Sequence, residues 1–147
     1  MVEEELQKIF PAGSGKMAIS RGKIHDYLGM KLYFSKEGQV IVMMIPYILE
    51  VFQVFNEVDL SGKVSKTPAA DNLFCVNKDS HLLDDKYAAL FHTTVAKTLF
   101  LTKRVRPDIA VAVAFLTTQV KQPSEQYWSK LRRLIRYLQG SYHLSLI

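Results

Sequence analysis

An α+β fold is predicted by three observations. Two short apolar-rich runs, residues 27–34 and 39–44, flank Ser35-Lys36-Glu37-Gly38, a spacing and turn composition that argue for a β-hairpin. Residues 84–147 then read as three helices, with Pro107 and Pro123 marking the starts of the second and third. At 147 residues and 48% hydrophobic, the chain is long enough for one modest core, and a domain of this size buries about two-thirds of its unfolded surface.

Taken in order, residues 3–10 form a helix stump closed by Pro11, with Leu6, Ile9 and Phe10 supplying one buried face. On an alternating strand over 27–34, Tyr27, Gly29, Lys31 and Tyr33 share one face, and Leu28, Met30, Leu32 and Phe34 share the other, which is the simpler core set. Pro46 opens a helix whose Tyr47, Ile48, Val51, Phe52 and Phe55 recur at helical spacing. Residues 57–83 are a linker candidate, with Gly62, Pro68, Asp71, Asn72 and Asn77 but no sustained period. The chain thus divides into 1–56, 57–83 and 84–147.

In the third segment, Asp84 and Asp85 begin a helix running to about residue 103, their charge meeting the positive end of the helix dipole. Residues 107–120 form the next, with Asp108 in its first turn, and because 109–116 is apolar on every face this helix is expected to be buried all round. Ser124 caps the last helix and Gly140 ends it in a left-handed turn, while Trp128, Leu131, Leu134 or Ile135, and Leu138 pack inward. Residues 143–147 read as the start of a further strand, and both ends of the chain read as cut.

Charge is distributed unevenly. From Lys97 onward nine Lys/Arg face two acids, a net of +7, whereas residues 1–96 carry −2. An excess confined to one helical region is the footprint of a polyanion-facing surface. On the last helix Lys130, Arg132, Arg133 and Arg136 lie largely off the apolar stripe, with Glu125 as the one local acid. Two readings stand at this point: a solvated helix face, or a nucleic-acid surface. An acidic protein partner for the same face is a third.

Several function classes are excluded. The lone Cys75 makes no internal disulfide and lacks zinc-ligand neighbours, and His25, His81, His92 and His143 are scattered singly, so no metal is assigned. Gly13-Ser14-Gly15-Lys16 falls short of a phosphate-binding loop, because Phe10 stands where Gly is required and Met17 where Ser or Thr is required. The longest apolar run, 109–116, is far short of the roughly 20 residues a membrane helix needs. The opening MVEEELQKIF has acids where a secretory leader carries positive charge, and no repeat or low-complexity tract is present.

One segment carries a family pattern. Phe91, Val95, Ala96, the run Leu99-Phe100-Leu101, then Arg106-Pro107-Asp108-Ile109, Pro123, Trp128 and Tyr137-Leu138-Gln139-Gly140 follow one another in a fixed order. Upstream stand Asp26-Tyr27-Leu28-Gly29-Met30 and Thr67-Pro68. In residues and order this resembles the C-terminal part of the reverse transcriptase domain of copia-type LTR retrotransposon Pol polyproteins, from about residue 22 to the end. Ala96 stands where Gly is common, and Tyr127 where His often precedes the Trp.

The resemblance implies a hairpin from the palm edge followed by a helical thumb- and connection-like region. It implies that the strand around Tyr27, Gly29 and Lys31 acts as primer grip. It also implies that Lys97, Lys103, Arg104, Arg106, Lys130, Arg132, Arg133 and Arg136 meet the phosphates of an RNA–DNA or DNA duplex. The remaining partners implied are the palm and RNase H parts of the polyprotein, with no membrane, in a cytoplasmic particle. No Tyr-x-Asp-Asp occurs, and Asp84-Asp85 follow Leu82 rather than a tyrosine. The paired carboxylates that hold two metals for phosphoryl transfer are therefore missing. No catalytic residue and no cofactor is expected in this fragment, although the full-length family enzyme would need Mg, and no polymerase activity is expected of the chain alone. A non-functional remnant of a decayed element is the competing expectation.

Overall fold

The computed structural model describes residues 2–9, 19–55 and 63–147. Phe10, Pro11, the Gly13-Ser14-Gly15-Lys16 run and residues 57–62 of the linker candidate lie outside them. The architecture is α+β: a three-stranded antiparallel sheet followed by a group of helices.

The first helix, α1 (Val2–Ile9), forms as expected, but its apolar side is not buried, since Leu6 is exposed and Ile9 is 67% exposed. Two turns carrying several charges offer too narrow an apolar stripe to be held by burial.

The hairpin becomes a three-stranded meander of β1 (Ile24–Tyr27), β2 (Met30–Phe34) and β3 (Val40–Met43), in the order β1-β2-β3. The single strand expected over 27–34 is broken by a two-residue turn at Leu28 and Gly29, with φ of 50° and 78° and Tyr27 opposite Met30. Positive φ at both central residues is what a tight hairpin turn of matching twist requires. Leu28 tolerates it poorly, yet sits at the tip, 62% exposed, rather than in the core. At the start of β2 the alternation holds, with Met30 and Leu32 half-buried and Lys31 exposed between them, but Leu28 leaves the expected core set. Met30 and Val42 turn toward the helices, and Phe34 is exposed. Leu146 pairs with Val42 through two backbone hydrogen bonds of 2.8 and 3.1 Å, so the C-terminal residues extend the sheet on the β3 side.

The core is helical. Helix α2 (Ile45–Val54), with Pro46 in its first turn, buries Ile48 and Val51, and Met44 and Phe55 flank it. Helix α3 (Asp85–Thr102) is capped by the Asp84 carboxylate, which accepts from the Tyr87 amide at 2.8 Å, and buries Phe91, Val95 and Leu101. A short 3₁₀ turn, Pro107–Ile109, leads into α4 (Ala110–Thr117). This helix is not buried all round, because Ala112, Val113 and Leu116 face the core while Val111 is 63% exposed. An apolar sequence marks which residues tolerate burial, not how many neighbours surround them.

Helix α5 (Glu125–Ser141) sets Leu131, Leu134, Ile135 and Leu138 fully into the core. Its beginning departs from the expected cap: the Ser124 side chain makes no capping bond. The Glu125 amide instead donates to His81 O at 2.9 Å and the Gln126 amide to Ser80 Oγ at 3.1 Å, so the preceding segment satisfies the open helix end. Nor does Gly140 end the helix, which runs on to Ser141. A Cβ at position 140 would collide with Val64 Cγ1. Glycine is there for close approach, not for a left-handed turn.

An expected outcome follows from that close approach. Gly-to-Ala inside a helix ordinarily gains about 1 kcal/mol, but Gly140→Ala is expected to leave the Tm unchanged or lower, because Val64 and the chain around it must shift. Combining it with Val64→Ala should recover the gain, about 2–4 °C for a chain of this size. A stabilised single variant would show that Val64 yields freely.

Candidate nucleic-acid interface

Residues 63–83 contain neither helix nor strand, yet they lie along α5. Leu73 is buried, Leu82 pairs with Ser124, and the Leu83 amide donates to Pro123 O at 2.9 Å. Gln126 clamps Asn77 from both sides: its Oε1 accepts from the Asn77 amide at 2.7 Å and its Nε2 donates to Asn77 O at 2.6 Å. This segment is a strap laid over one side of the basic helix.

The strap meets the cations directly. Lys130 Nζ donates to Leu73 O at 2.6 Å and Cys75 O at 2.7 Å, and also lies 5.0 Å from the Phe115 ring centroid. Burial lowers the Lys130 pKa, against a smaller opposing influence from Cys75. Arg133 Nη2 donates to Thr67 Oγ1 at 2.9 Å. Lys130, Arg133 and Arg136, one turn apart in succession, line a cavity of about 590 Å³ between α5 and the strap. Arg132 is half-buried on the same helix. The off-stripe face is therefore not bare, because the strap's backbone carbonyls and Thr67 cover part of it. Backbone acceptors leave no trace in a residue pattern.

Lys97 and Arg104 belong to a different setting, where α3 meets α2. Lys97 lies 3.8 Å from Glu50 and 5.2 Å from the Tyr47 ring centroid, Tyr47 packs on Phe100, and the Arg104 guanidinium sits 3.5 Å over Phe100. Together they make a cation–ring–ring–cation series. Burial raises the Tyr47 pKa, with Glu50 adding to it. Lys103, just past the end of α3, is exposed.

Arg106 does not join any surface. It is 1% exposed, and its fork grips Asp108, Nε to Oδ1 at 2.9 Å and Nη2 to Oδ2 at 2.7 Å. The same guanidinium donates to Ser141 O at 2.9 Å and Ser141 Oγ at 2.8 Å, and the Tyr137 hydroxyl donates to Asp108 Oδ2 at 2.8 Å. Burial works against both charges, but the fork outweighs it, so the arginine pKa is raised and the aspartate pKa lowered. The Arg-Pro-Asp run and the Tyr-Leu-x-Gly run thus meet as one structural pin between the α4 entrance and the end of α5. An arginine expected at a phosphate holds the fold instead, a role its local Asp partner could have signalled.

The remaining sequence candidates sit in the hairpin. Tyr27 is exposed beside the turn, Gly29 forms it, and Lys31 on β2 pairs with Asp26 and Met43. The Asp84 carboxylate is engaged as a helix cap, and among the described residues no group of three or more His, Cys, Asp or Glu could hold a metal ion. Among the described residues no helix is long and apolar enough to cross a membrane.

Comparison with known proteins places this geometry in context. The chain is 25% identical over 137 residues to a Saccharomyces cerevisiae protein named for transposon Ty5-1, covering 93% of this chain and 41% of that protein. It is 24% identical over 125 residues to the retrovirus-related Pol polyprotein from transposon TNT 1-94 of Nicotiana tabacum, covering 82% of this chain and 9% of the polyprotein. The chain therefore spans less than half the length of either relative. No family model matches it, and no solved structure matches it significantly. Similarity to two transposon proteins over most of the chain supports its derivation from a retrotransposon.

Proposed function

We propose that this chain is the C-terminal part of a copia-type reverse transcriptase, contributing a surface that holds the backbone of a template–primer duplex. The observation that carries the reading is the succession Lys130, Arg133 and Arg136 along one side of α5, joined on that helix by Arg132. Positive charge spaced one turn apart suits sequence-independent phosphate binding with counterion release. Lys97 on α3 and Lys103 and Arg104 just past its end would add to it. The hairpin tip, with Tyr27, Gly29 and Lys31, would lie toward the primer end, and the exposed apolar side chains of Ile24, Leu28 and Phe34 would meet the palm of the parent polyprotein. Mg chemistry would belong to the palm of the parent polyprotein, and no polymerase activity is assigned to this chain. Primer extension by the purified 147-residue protein would overturn that assignment.

The test is fluorescence anisotropy of a labelled RNA–DNA hybrid titrated at several salt concentrations. Binding is expected to weaken linearly in the logarithm of salt, and Arg132→Ala combined with Arg136→Ala should flatten the slope by about 0.9 for each phosphate that the variant no longer neutralises. An unchanged slope would show the face to be merely solvated. No binding by folded protein at low salt would favour the inert remnant.

A further inference from the structure

We infer that the cavity between α5 and the strap is a seat for a single phosphate monoester, such as the terminal phosphate of a nucleic-acid strand. This deepens the backbone reading and rests on it, sharing Lys130, Arg133 and Arg136, but it draws on a further feature: the half-open cavity that these residues line beside the strap. Three observations support it. Lys130, Arg133 and Arg136 line one wall, and among the described residues of the lining none is acidic. Arg133 Nη2 meets a neutral hydroxyl there, that of Thr67, rather than an acid. Ser129, Asn72 and Asn77 supply neutral polar groups around the same space.

Like charges held one turn apart repel, and in a concavity water screens them less than on open surface. An anion placed among them relieves that repulsion. A monoester carries about −1.5 to −2 charge at neutral pH, more than the single charge of a backbone diester, and its three terminal oxygens suit forked guanidinium donors. The volume of about 590 Å³ accommodates a nucleotide, within the roughly 300–1,000 Å³ of small-ligand sites.

The only cysteine of the chain, Cys75, is exposed and lines this cavity, so it reports occupancy. The experiment measures the rate of Cys75 alkylation by iodoacetamide, at constant ionic strength set with chloride. The probes are inorganic phosphate, a nucleoside 5′-monophosphate, and one oligonucleotide bearing either a 5′-phosphate or a 5′-hydroxyl. Protection of about tenfold is expected when phosphate exceeds its Kd tenfold, and Arg133→Ala should abolish it in protein of unchanged circular dichroism. Protection by the 5′-phosphorylated but not the 5′-hydroxyl strand supports a strand-end seat. Protection by phosphate and mononucleotide alone supports a free-nucleotide seat. Equal protection by both strands, or no protection by wild-type protein in any arm, overturns the proposal. Duplex anisotropy repeated on Cys75-alkylated protein tests the backbone reading separately: an unaltered salt slope leaves it standing whatever becomes of the cavity.

Discussion

Asp108→Ala is expected to destabilise the protein by about 3–5 kcal/mol, the cost of leaving a buried charge without its partner. Arg106 is enclosed, and the aspartate supplies two of its four hydrogen bonds. Arg106→Met should cost less, because the methionine fills much of the volume with an apolar chain and the stranded Asp108, 37% exposed, is hydrated in place. Urea unfolding of both variants decides the matter, and a loss below about 1 kcal/mol for Asp108→Ala, the range of a surface ion pair, would refute a buried pin. The same pair sets a pH response. Burial raises the Asp108 pKa, but the Arg106 fork and the Tyr137 hydroxyl lower it further than burial raises it. A carboxyl with a depressed folded-state pKa stabilises fully above its ordinary value of about 3.9. That contribution is lost as pH falls through the lower folded-state value. The wild-type Tm is therefore expected to drop on acidification below about pH 4, and Asp108→Ala to remove part of the drop.

Trp128→Ala is the second large effect. The indole stacks on Phe55 at 5.0 Å between centroids with a 21° interplanar angle, and meets Tyr87 edge-on at 5.3 Å. One side chain thus joins α5 to the end of α2 and to the first turn of α3. Truncation is expected to cost about 3 kcal/mol, the low end for a large aromatic because Trp128 is only partly buried. Trp128→Phe, which keeps a ring in the stack, should cost less than half of that. Equal losses for the two would mean that the indole nitrogen or the rim of the ring, not the stack, carries the contribution.

The sequence disclosed some of this and withheld the rest for identifiable reasons. Pro46, Asp84 and the spacing of Leu131, Leu134, Ile135 and Leu138 announce helices because their signals are local: a fixed φ, an acid at the positive end of the dipole, a period of 3.6. The turn at Leu28-Gly29 stayed hidden because leucine is a poor marker of positive φ. Gly140 misled for the converse reason. A glycine near a helix end resembles a terminator, and only the position of Val64 reveals that it is there for want of a side chain. The basic residues sort by what they touch, which charge counting cannot show: Arg106 bonds Asp108 and Ser141, Lys130 bonds carbonyls, and Lys103 points to solvent.

The segment over α5 also sets how the molecule opens. Residues 63–83 share no ladder with the sheet, and their bonds to α5 come from scattered single sites: Thr67, Leu73, Cys75, Asn77, Ser80 and His81. Releasing them breaks no hydrogen bond inside any helix. A subglobal opening of this segment, at a free energy below that of global unfolding, is therefore expected, and native-state hydrogen exchange of the 63–83 amides would show it as a separate unit. In that state Lys130 regains water, its proton affinity returns toward that of an ordinary amine, and α5 presents a continuous band of cations to whatever lies alongside.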